Sequence, residues 1–184
     1  MSQNQTTIAI LVTDGFEQCE FVDPKQALEE AGAKVLVVSP KDSQVQGVHH
    51  AEAGDKFGVD LTIEQAMEMD FDALVLPGGV MNPDALRVNE QALTFVKQFF
   101  THERPVAAIC HGPQILINAE VVKGRKLTSF QSVRKDLENA GANWVDQAVV
   151  VDGQLITSRN PKDLPEFCEK IVATMVKQPS PQVA

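Results

Sequence analysis

The sequence has few cysteines, few basic clusters and no long apolar run, and each shortage excludes a class of protein. Its three cysteines, Cys19, Cys110 and Cys168, are an odd number at wide spacings. This pattern fits neither a disulfide framework nor a CxxC metal cluster, so we predict a cytoplasmic protein without a bound metal. No apolar stretch has the length that a bilayer requires, and we do not expect a membrane protein.

Positive charge is also scarce. Lysine and arginine number 16 against 25 aspartates and glutamates, which leaves a formal net charge of -9. Such a protein repels a phosphate backbone, so nucleic acid is not an expected partner. The first residues show neither a basic region nor a small-residue cleavage site, and we expect no export signal.

The length of 184 residues suits one domain with its own hydrophobic core. We predict a single domain over 1–184, with the core at about 7–176. The closing segment 177–184, KQPSPQVA, is predicted to be a frayed tail.

Short apolar runs that end in turn residues predict the strands of a parallel sheet covered on both faces. These runs are TTIAILV, AKVLVVS, DALVLPGG and PVAAIC. Between them, Asp23 and Pro24 predict the start of the first helix and Gly32 its end. Apolar residues at helical spacing follow a capping Asn89, and a second such stripe begins at Leu164 and contains Cys168.

Strands that alternate with helices predict an open α/β sheet, mostly parallel, with helices on both faces. Asp152-Gly153 lies between two apolar runs and predicts a two-residue hairpin, which adds an antiparallel pair at the sheet edge. The polar, glycine-bearing segment 43–60 predicts loops with short strands. The expected fold is therefore a three-layer α/β sandwich.

The stretch PVAAICHGPQILI places Cys110 at the carboxyl end of a predicted strand and just before a helix. Open α/β sheets bind ligands at that edge, and a tight turn there would expose the side chain as a nucleophile elbow does. The following helix would favour the thiolate, so we predict an acidic cysteine whose proton the adjacent His111 could hold. The alternative is a buried, inert cysteine, as is usual after an apolar run.

The LPGG sequence ends the neighbouring predicted strand. Gly78 and Gly79 could bring backbone N–H groups to a substrate oxygen, together with the amide of His111, as an oxyanion hole. Alternatively, Pro-Gly-Gly only turns the chain. Cys168 lies in a helical apolar stripe and is interpreted as a core residue. Three histidines without such a partner are interpreted as loop or surface residues: His49, His50 and His102.

Four motifs in this order, DGFEQCE, ALVLPGG, AAICHGPQILI and TSRNPKDLP, resemble the ThiJ/PfpI superfamily, in particular its branch of PfpI-like intracellular proteases and general stress proteins. The resemblance extends from about Ile8 to the last helix. It implies a flavodoxin-like fold related to class I glutamine amidotransferase domains. It also implies a homodimer or hexamer and an enzyme that needs no cofactor.

By motif position, the resemblance implies that Cys110 is the nucleophile, His111 its following histidine and Glu20 a carboxyl group directed at the sulfur. Such a carboxyl group would be protonated and donate to the thiolate, because two adjacent anions in a partly desolvated pocket are costly. From spacing alone, Glu20 could instead be an exposed carboxylate at a helix start. Glu17, in the same loop, would either shape the pocket or face solvent.

The PfpI-like branch also has an acid that reaches the histidine of a neighbouring subunit, and Asp84 occupies that position in MNPDALR. Asp84 would then orient His111 across a subunit boundary, although it is one methylene shorter than glutamate. It could instead be an N-cap on a surface turn. Where the branch of the Parkinson-associated deglycase has a histidine, this chain has Phe130, which would form an apolar pocket wall.

Together these features predict a cysteine hydrolase or glyoxalase-type enzyme of the stress response, with a small carbonyl compound or a peptide as substrate. Peptide cleavage and removal of dicarbonyl adducts require the same groups, so both remain open. The alternative is a redox-sensing or chaperone-like stress protein with an oxidisable cysteine. A third possibility is an amidotransferase-like domain kept for assembly.

Overall fold

The computed structural model describes residues 5–176. The strands in this range are β1 (Thr7–Leu11), β2 (Phe16–Glu17), β3 (Lys34–Ser39), β4 (Gln44–His49), β5 (Glu52–Gly58), β6 (Leu61–Thr62), β7 (Ala73–Leu76), β8 (Val106–Ile109), β9 (Lys126–Leu127), β10 (Asn143–Trp144), β11 (Val149–Asp152) and β12 (Leu155–Ser158). The helices are α1 (Gln18–Glu30), α2 (Ile63–Met67), α3 (Met81–Leu86), α4 (Glu90–Thr101), α5 (Pro113–Asn118), α6 (Arg134–Asn139) and α7 (Leu164–Met175).

The central sheet has seven strands in the order β11-β12-β8-β7-β1-β3-β6. All neighbouring pairs are parallel except β11 and β12, which form the antiparallel hairpin at the edge. The predicted flavodoxin-like α/β class and its edge hairpin are therefore confirmed. The order places β8 next to β7, so the ends of these two strands, where the predicted cysteine and glycine pair lie, are adjacent in space.

Hydrophobic cores cover both faces of the sheet. Along β1, Ala9 and Leu11 face one core, and Ile8 and Ile10 face the other, because successive side chains of a strand point to opposite sides. Helices α2, α4, α5 and α6 cover the first face, and α1 and α7 cover the second. Within the described residues, no helix combines the length and apolar character needed to cross a bilayer.

The predicted stripes of α4 and α7 are confirmed. Asn89 caps α4 by accepting a hydrogen bond of 2.9 Å from the N–H of Ala92. Phe95 and Phe99 are buried on the stripe that follows, and their rings meet edge to face. On α7, Phe167 is fully buried and Cys168 is half-buried in the apolar core.

The predicted start of the first helix is wrong. Helix α1 begins at Gln18, and Pro24 lies inside it. A proline there removes one helical hydrogen bond, but Phe21 and Leu28 on the same helix are buried in the core, and this burial offsets the loss. Gly32, with a φ of 94°, follows the end of the helix as predicted. The extra turn matters because it contains Glu20.

The segment 43–60 is more ordered than predicted. Strands β4 and β5 pair antiparallel over most of their length and join β2 in a second, three-stranded sheet. Polar side chains had indicated loops here, but β5 lies at the edge of this small sheet and buries little, so its residues need not be apolar. The predicted tail at 177–184 lies outside the described residues.

Candidate active site

Cys110 lies on a strained turn directly after β8. Its φ of 61° is in the left-handed region, which costs a residue other than glycine about 1–3 kcal/mol. Backbone hydrogen bonds hold this conformation: the N–H of Cys110 donates to the Ser158 carbonyl at 3.0 Å, and the N–H of Phe130 donates to the Cys110 carbonyl at 2.9 Å. The strand, the sharp turn and the following α5 form the elbow expected from the sequence.

Glu20 lies fully buried against Cys110. The first turn of α1 carries its carboxyl group to the end of β7, where Oε2 accepts a hydrogen bond of 3.0 Å from the N–H of Gly78. Its other oxygen, Oε1, is buried without a hydrogen-bond partner among the described residues. Burial, with a smaller contribution from the charge of Glu17, raises the pKa of Glu20 to about 7. The exposed helix-start position considered for Glu20 is therefore wrong.

The prediction of an acidic Cys110 thiol is also wrong. Only 6% of the residue is exposed, and burial together with the negative charge of Glu20 raises its pKa above the ordinary value. The N–H groups of His111 and Gly79 act in the opposite direction but do not outweigh these effects. The dipole of α5, a helix of only six residues, is too weak to offset the burial of the thiol.

Gly78 and Gly79 allow close packing of three chain segments. A Cβ on Gly78 would lie 2.7 Å from the Cβ of Cys110, and a Cβ on Gly79 would lie 2.6 Å from the N of Glu17. The N–H of Gly78 is already used by Glu20, so the predicted oxyanion hole cannot include it. The N–H groups of Gly79 and His111, which face the sulfur, are the donors that remain.

Sequence reasoning missed Asn82, which is completely buried behind the glycine pair. Its Nδ2 donates to the carbonyls of Pro77 and Gly78 at 3.0 and 3.1 Å, and its Oδ1 accepts from the N–H of Thr13 at 2.8 Å. Because the carbonyl and the N–H of one peptide plane point in opposite directions, holding the Gly78 carbonyl turns the Gly79 N–H away from Asn82. Its only sequence signal is that it follows LPGG closely.

The His111 ring is held by contacts on both nitrogens and on one face. Nδ1 lies 3.3 Å from Sγ of Cys110, and Nε2 lies 3.1 Å from Oγ of Ser132. Phe130 stacks on the ring with 4.8 Å between centroids and 23° between planes. Burial lowers the pKa of His111 below its ordinary value, so the ring is neutral at neutral pH and can accept a proton. Ser132 was missed by the sequence analysis.

Glu17 is buried beside the site and does not face solvent. Its Oε2 accepts a hydrogen bond of 3.0 Å from the N–H of His50, which lies in the turn between β4 and β5 with a φ of 58°. The carboxylate therefore ties that turn to the start of α1. The His50 side chain is 90% exposed, as expected for a surface histidine.

Asp84 lies in the first turn of α3 and is exposed. Its side chain forms no hydrogen bond or ion pair with other residues of 5–176, and it does not cap the helix, for which Val80 is the N-cap residue. The alternative interpretation of Asp84 as an N-cap is therefore wrong. The contact with a neighbouring subunit stays a prediction.

The other two cysteines are poorly suited to act as nucleophiles. Cys19 and Cys168 are half-buried, and burial raises the pKa of each thiol to about 11. In the part of the chain that the structure describes, no three histidine, cysteine, aspartate or glutamate side chains are grouped so as to hold a metal ion. The chemistry available at the elbow is that of a thiol with a neutral imidazole, a buried carboxyl group and two backbone donors.

Comparisons with known proteins identify the family and support the fold. A model of the DJ-1/PfpI family matches residues 6–174. The chain is 45% identical to the Bacillus subtilis protein named "Putative cysteine protease YraA", over 87% of this chain and 92% of that protein. It is also 45% identical to "Deglycase TK1284" of Thermococcus kodakarensis, over 90% and 96%. The crystal structure of Drosophila melanogaster DJ-1beta is similar with a TM-score of 0.87 and 29% identity, over 95% of this chain and 92% of that one.

Proposed function

Because the chain belongs to the DJ-1/PfpI family, we propose that it is a cofactor-independent enzyme in which Cys110 attacks an electrophilic carbonyl carbon. One observation carries the proposal: the elbow holds Sγ of Cys110 3.3 Å from Nδ1 of a neutral His111. A thiol with a raised pKa needs a base at the moment of attack, and His111 is within reach of its proton.

The first step follows from these positions. The sulfur of Cys110 forms a bond to the carbonyl carbon, the carbonyl π electrons move to oxygen, and the thiol proton moves to Nδ1 of His111. The N–H groups of Gly79 and His111 then stabilise the oxyanion, which takes the proton back from the imidazole to give a hemithioacetal. Because its pKa is raised to about 7, Glu20 carries less negative charge beside the sulfur at neutral pH than an ordinary carboxylate would.

A 1,2-dicarbonyl compound is the substrate class that this site suits best. After hemithioacetal formation, His111 can remove the proton on the carbon that bears the sulfur, and reprotonation of the adjacent carbon gives a thioester. Water releases a 2-hydroxy acid and restores the thiol, so the net reaction adds one water to the dicarbonyl. Half-exposed Phe130, whose ring stacks on His111, offers an apolar contact of the kind that a small uncharged substrate uses.

The names of the two relatives support the same chemistry. One relative is named a putative cysteine protease and the other a deglycase. A thiol that attacks a carbonyl or adduct carbon could serve either activity. We therefore place hydrolysis of peptide or glycated substrates beside dicarbonyl hydration as reactions of this site.

Turnover of methylglyoxal to lactate tests the proposal. We expect wild-type protein to form lactate and Cys110→Ala to form none. Cys168→Ala is the matched control, because that thiol lies on α7 within the core. Equal lactate formation by wild type and Cys110→Ala would contradict the proposal, and so would the absence of turnover with methylglyoxal, glycated peptides and unmodified peptides alike.

A second candidate function is a redox sensor, favoured by the number of donors around the sulfur. A sulfinate at Cys110 could accept hydrogen bonds from the two N–H groups and from protonated Glu20. Peroxide treatment followed by mass spectrometry would then show two oxygen atoms added at Cys110, and faster further oxidation of this sulfinate to the sulfonate in Glu20→Ala, which lacks the carboxyl donor. Conversion of the sulfinate to the sulfonate at equal rates in both proteins would contradict this function.

A further inference from the structure

We infer that Ser132 is the positioning residue for His111 and that it acts within one protomer. The inference deepens the proposed function, on which it rests, by identifying how the base is aimed at the thiol. Ser132 lies in the short 3₁₀ turn Gln131–Val133, and its Oγ is 3.1 Å from Nε2 of His111.

The geometry leaves one useful arrangement of protons on the ring. To accept the thiol proton, Nδ1 must carry a lone pair, because it faces Sγ of Cys110. The single proton of the neutral ring is then on Nε2, and the Ser132 hydroxyl accepts a hydrogen bond from it. A serine hydroxyl can donate or accept, so the thiol at Nδ1 selects this tautomer, and Ser132 stabilises and orients it by accepting from Nε2. After proton transfer the imidazolium still donates to Ser132, so the contact is kept during the reaction.

The turn that contains Ser132 is attached to the elbow itself. The N–H of Phe130 donates to the Cys110 carbonyl at 2.9 Å, and the Phe130 ring stacks on His111. The sulfur, the imidazole and the hydroxyl are therefore fixed relative to one another by one continuous set of contacts.

Both ring nitrogens already have partners in this arrangement. An Asp84 carboxylate from a second subunit would have to displace the Ser132 hydroxyl from Nε2, because Nδ1 faces the sulfur. Within one protomer, Ser132 thus occupies the position at Nε2 that the family resemblance had suggested for Asp84.

The experiment compares Ser132→Ala, Ser132→Thr and Gln131→Ala, the last being a control with an exposed side chain in the same turn. Loss of a neutral orienting hydrogen bond predicts that kcat falls about tenfold in Ser132→Ala with KM unchanged. Ser132→Thr, which keeps the hydroxyl, is expected to recover most of the rate, and Gln131→Ala to match wild type. A loss of kcat in Asp84→Asn with full activity in Ser132→Ala would overturn the inference.

Two measurements without substrate separate this inference from the proposed function. The ¹⁵N spectrum of neutral His111, assigned with His111→Gln, is expected to show the Nε2–H tautomer in wild type and a mixture in Ser132→Ala. Alkylation of Cys110 at neutral pH is expected to slow in Ser132→Ala. If these changes occur but no carbonyl substrate is turned over, the positioning role stands and the proposed function fails. If Cys110-dependent turnover occurs but Ser132→Ala changes neither measurement, only the positioning role fails.

Discussion

The backbone N–H of Gly78 donates a hydrogen bond of 3.0 Å to Oε2 of Glu20, although the two residues are 58 positions apart. This bond joins the first turn of α1 to the end of β7 directly beside Cys110. It places a buried carboxyl group where its protonation state affects both folding and the thiol.

Glu20 is expected to make the stability of the protein depend on pH. Its carboxyl has a pKa of about 7 when folded and an ordinary value of 4.5, so between these pH values the folded state binds more protons than the unfolded state. The free energy of unfolding should therefore fall as pH rises from about 4.5 to about 7, by on the order of 3 kcal/mol for this group.

Urea unfolding of wild type and Glu20→Gln between pH 4.5 and 8 checks this. The glutamine keeps an acceptor for Gly78 but does not titrate, so the difference in stability between the two proteins should shift in favour of the variant as pH rises. A difference that stays constant across this range would show that Glu20 titrates normally.

Removing the charge of Glu17 is expected to lower the pKa of Glu20, because that charge contributes to the raised value. In Glu17→Gln, the fall in the free energy of unfolding should therefore be complete at a lower pH than in wild type. The hydrogen bond to His50 should remain, since an amide oxygen also accepts it.

Glu17→Ala separates the effect of the negative charge from the effect of the hydrogen bond to His50. It removes both the charge and the acceptor, so amide hydrogen exchange at His50 should accelerate in the alanine variant but not in the glutamine variant. Unchanged protection of His50 in both would mean that the carboxylate does not hold the turn.

Substitution of Gly78 is expected to disrupt the site because there is no room for a side chain. A Cβ there would lie 2.7 Å from the Cβ of Cys110 and 2.9 Å from the Ile109 carbonyl, both of which are fixed by the elbow. Gly78→Ala should lose about 1–3 kcal/mol of stability and most of its turnover. Gly58→Ala is the control, since a Cβ there meets no atom within 4 Å. Full turnover in Gly78→Ala would show that the elbow can move to accommodate a methyl group.

Asn82 is expected to stabilise both the fold and the site. Asn82→Ala leaves two buried carbonyls and the Thr13 N–H without their partner, which predicts a loss of about 2–3 kcal/mol together with reduced kcat. Asn89→Ala removes the cap of α4 and should cost about 1 kcal/mol without changing kcat. Equal effects of the two variants on kcat would contradict a specific role for Asn82 in holding the glycine pair.

Several features of the fold could be predicted from local patterns. The strands β1, β3, β7 and β8 are short, largely apolar runs, which is the pattern of parallel strands buried on both faces. The cap at Asn89 and the stop at Gly32 involve neighbours within four residues, so their signals are local. The start of α1 was missed because Pro24 gives a stronger local signal than the tertiary burial that extends the helix to Gln18.

The candidate site likewise has some features that follow from local sequence and others that depend on tertiary contacts. The amino-acid sequence by itself determined that Cys110 and His111 lie at a turn after a strand, because adjacency and turn residues are properties of a short segment. Only the tertiary structure decided that Gly78 binds Glu20, that Asn82 holds the glycine loop and that Ser132 faces His111. It also decided that the thiol pKa is raised, since burial and the charges of distant segments exist only once the chain has folded.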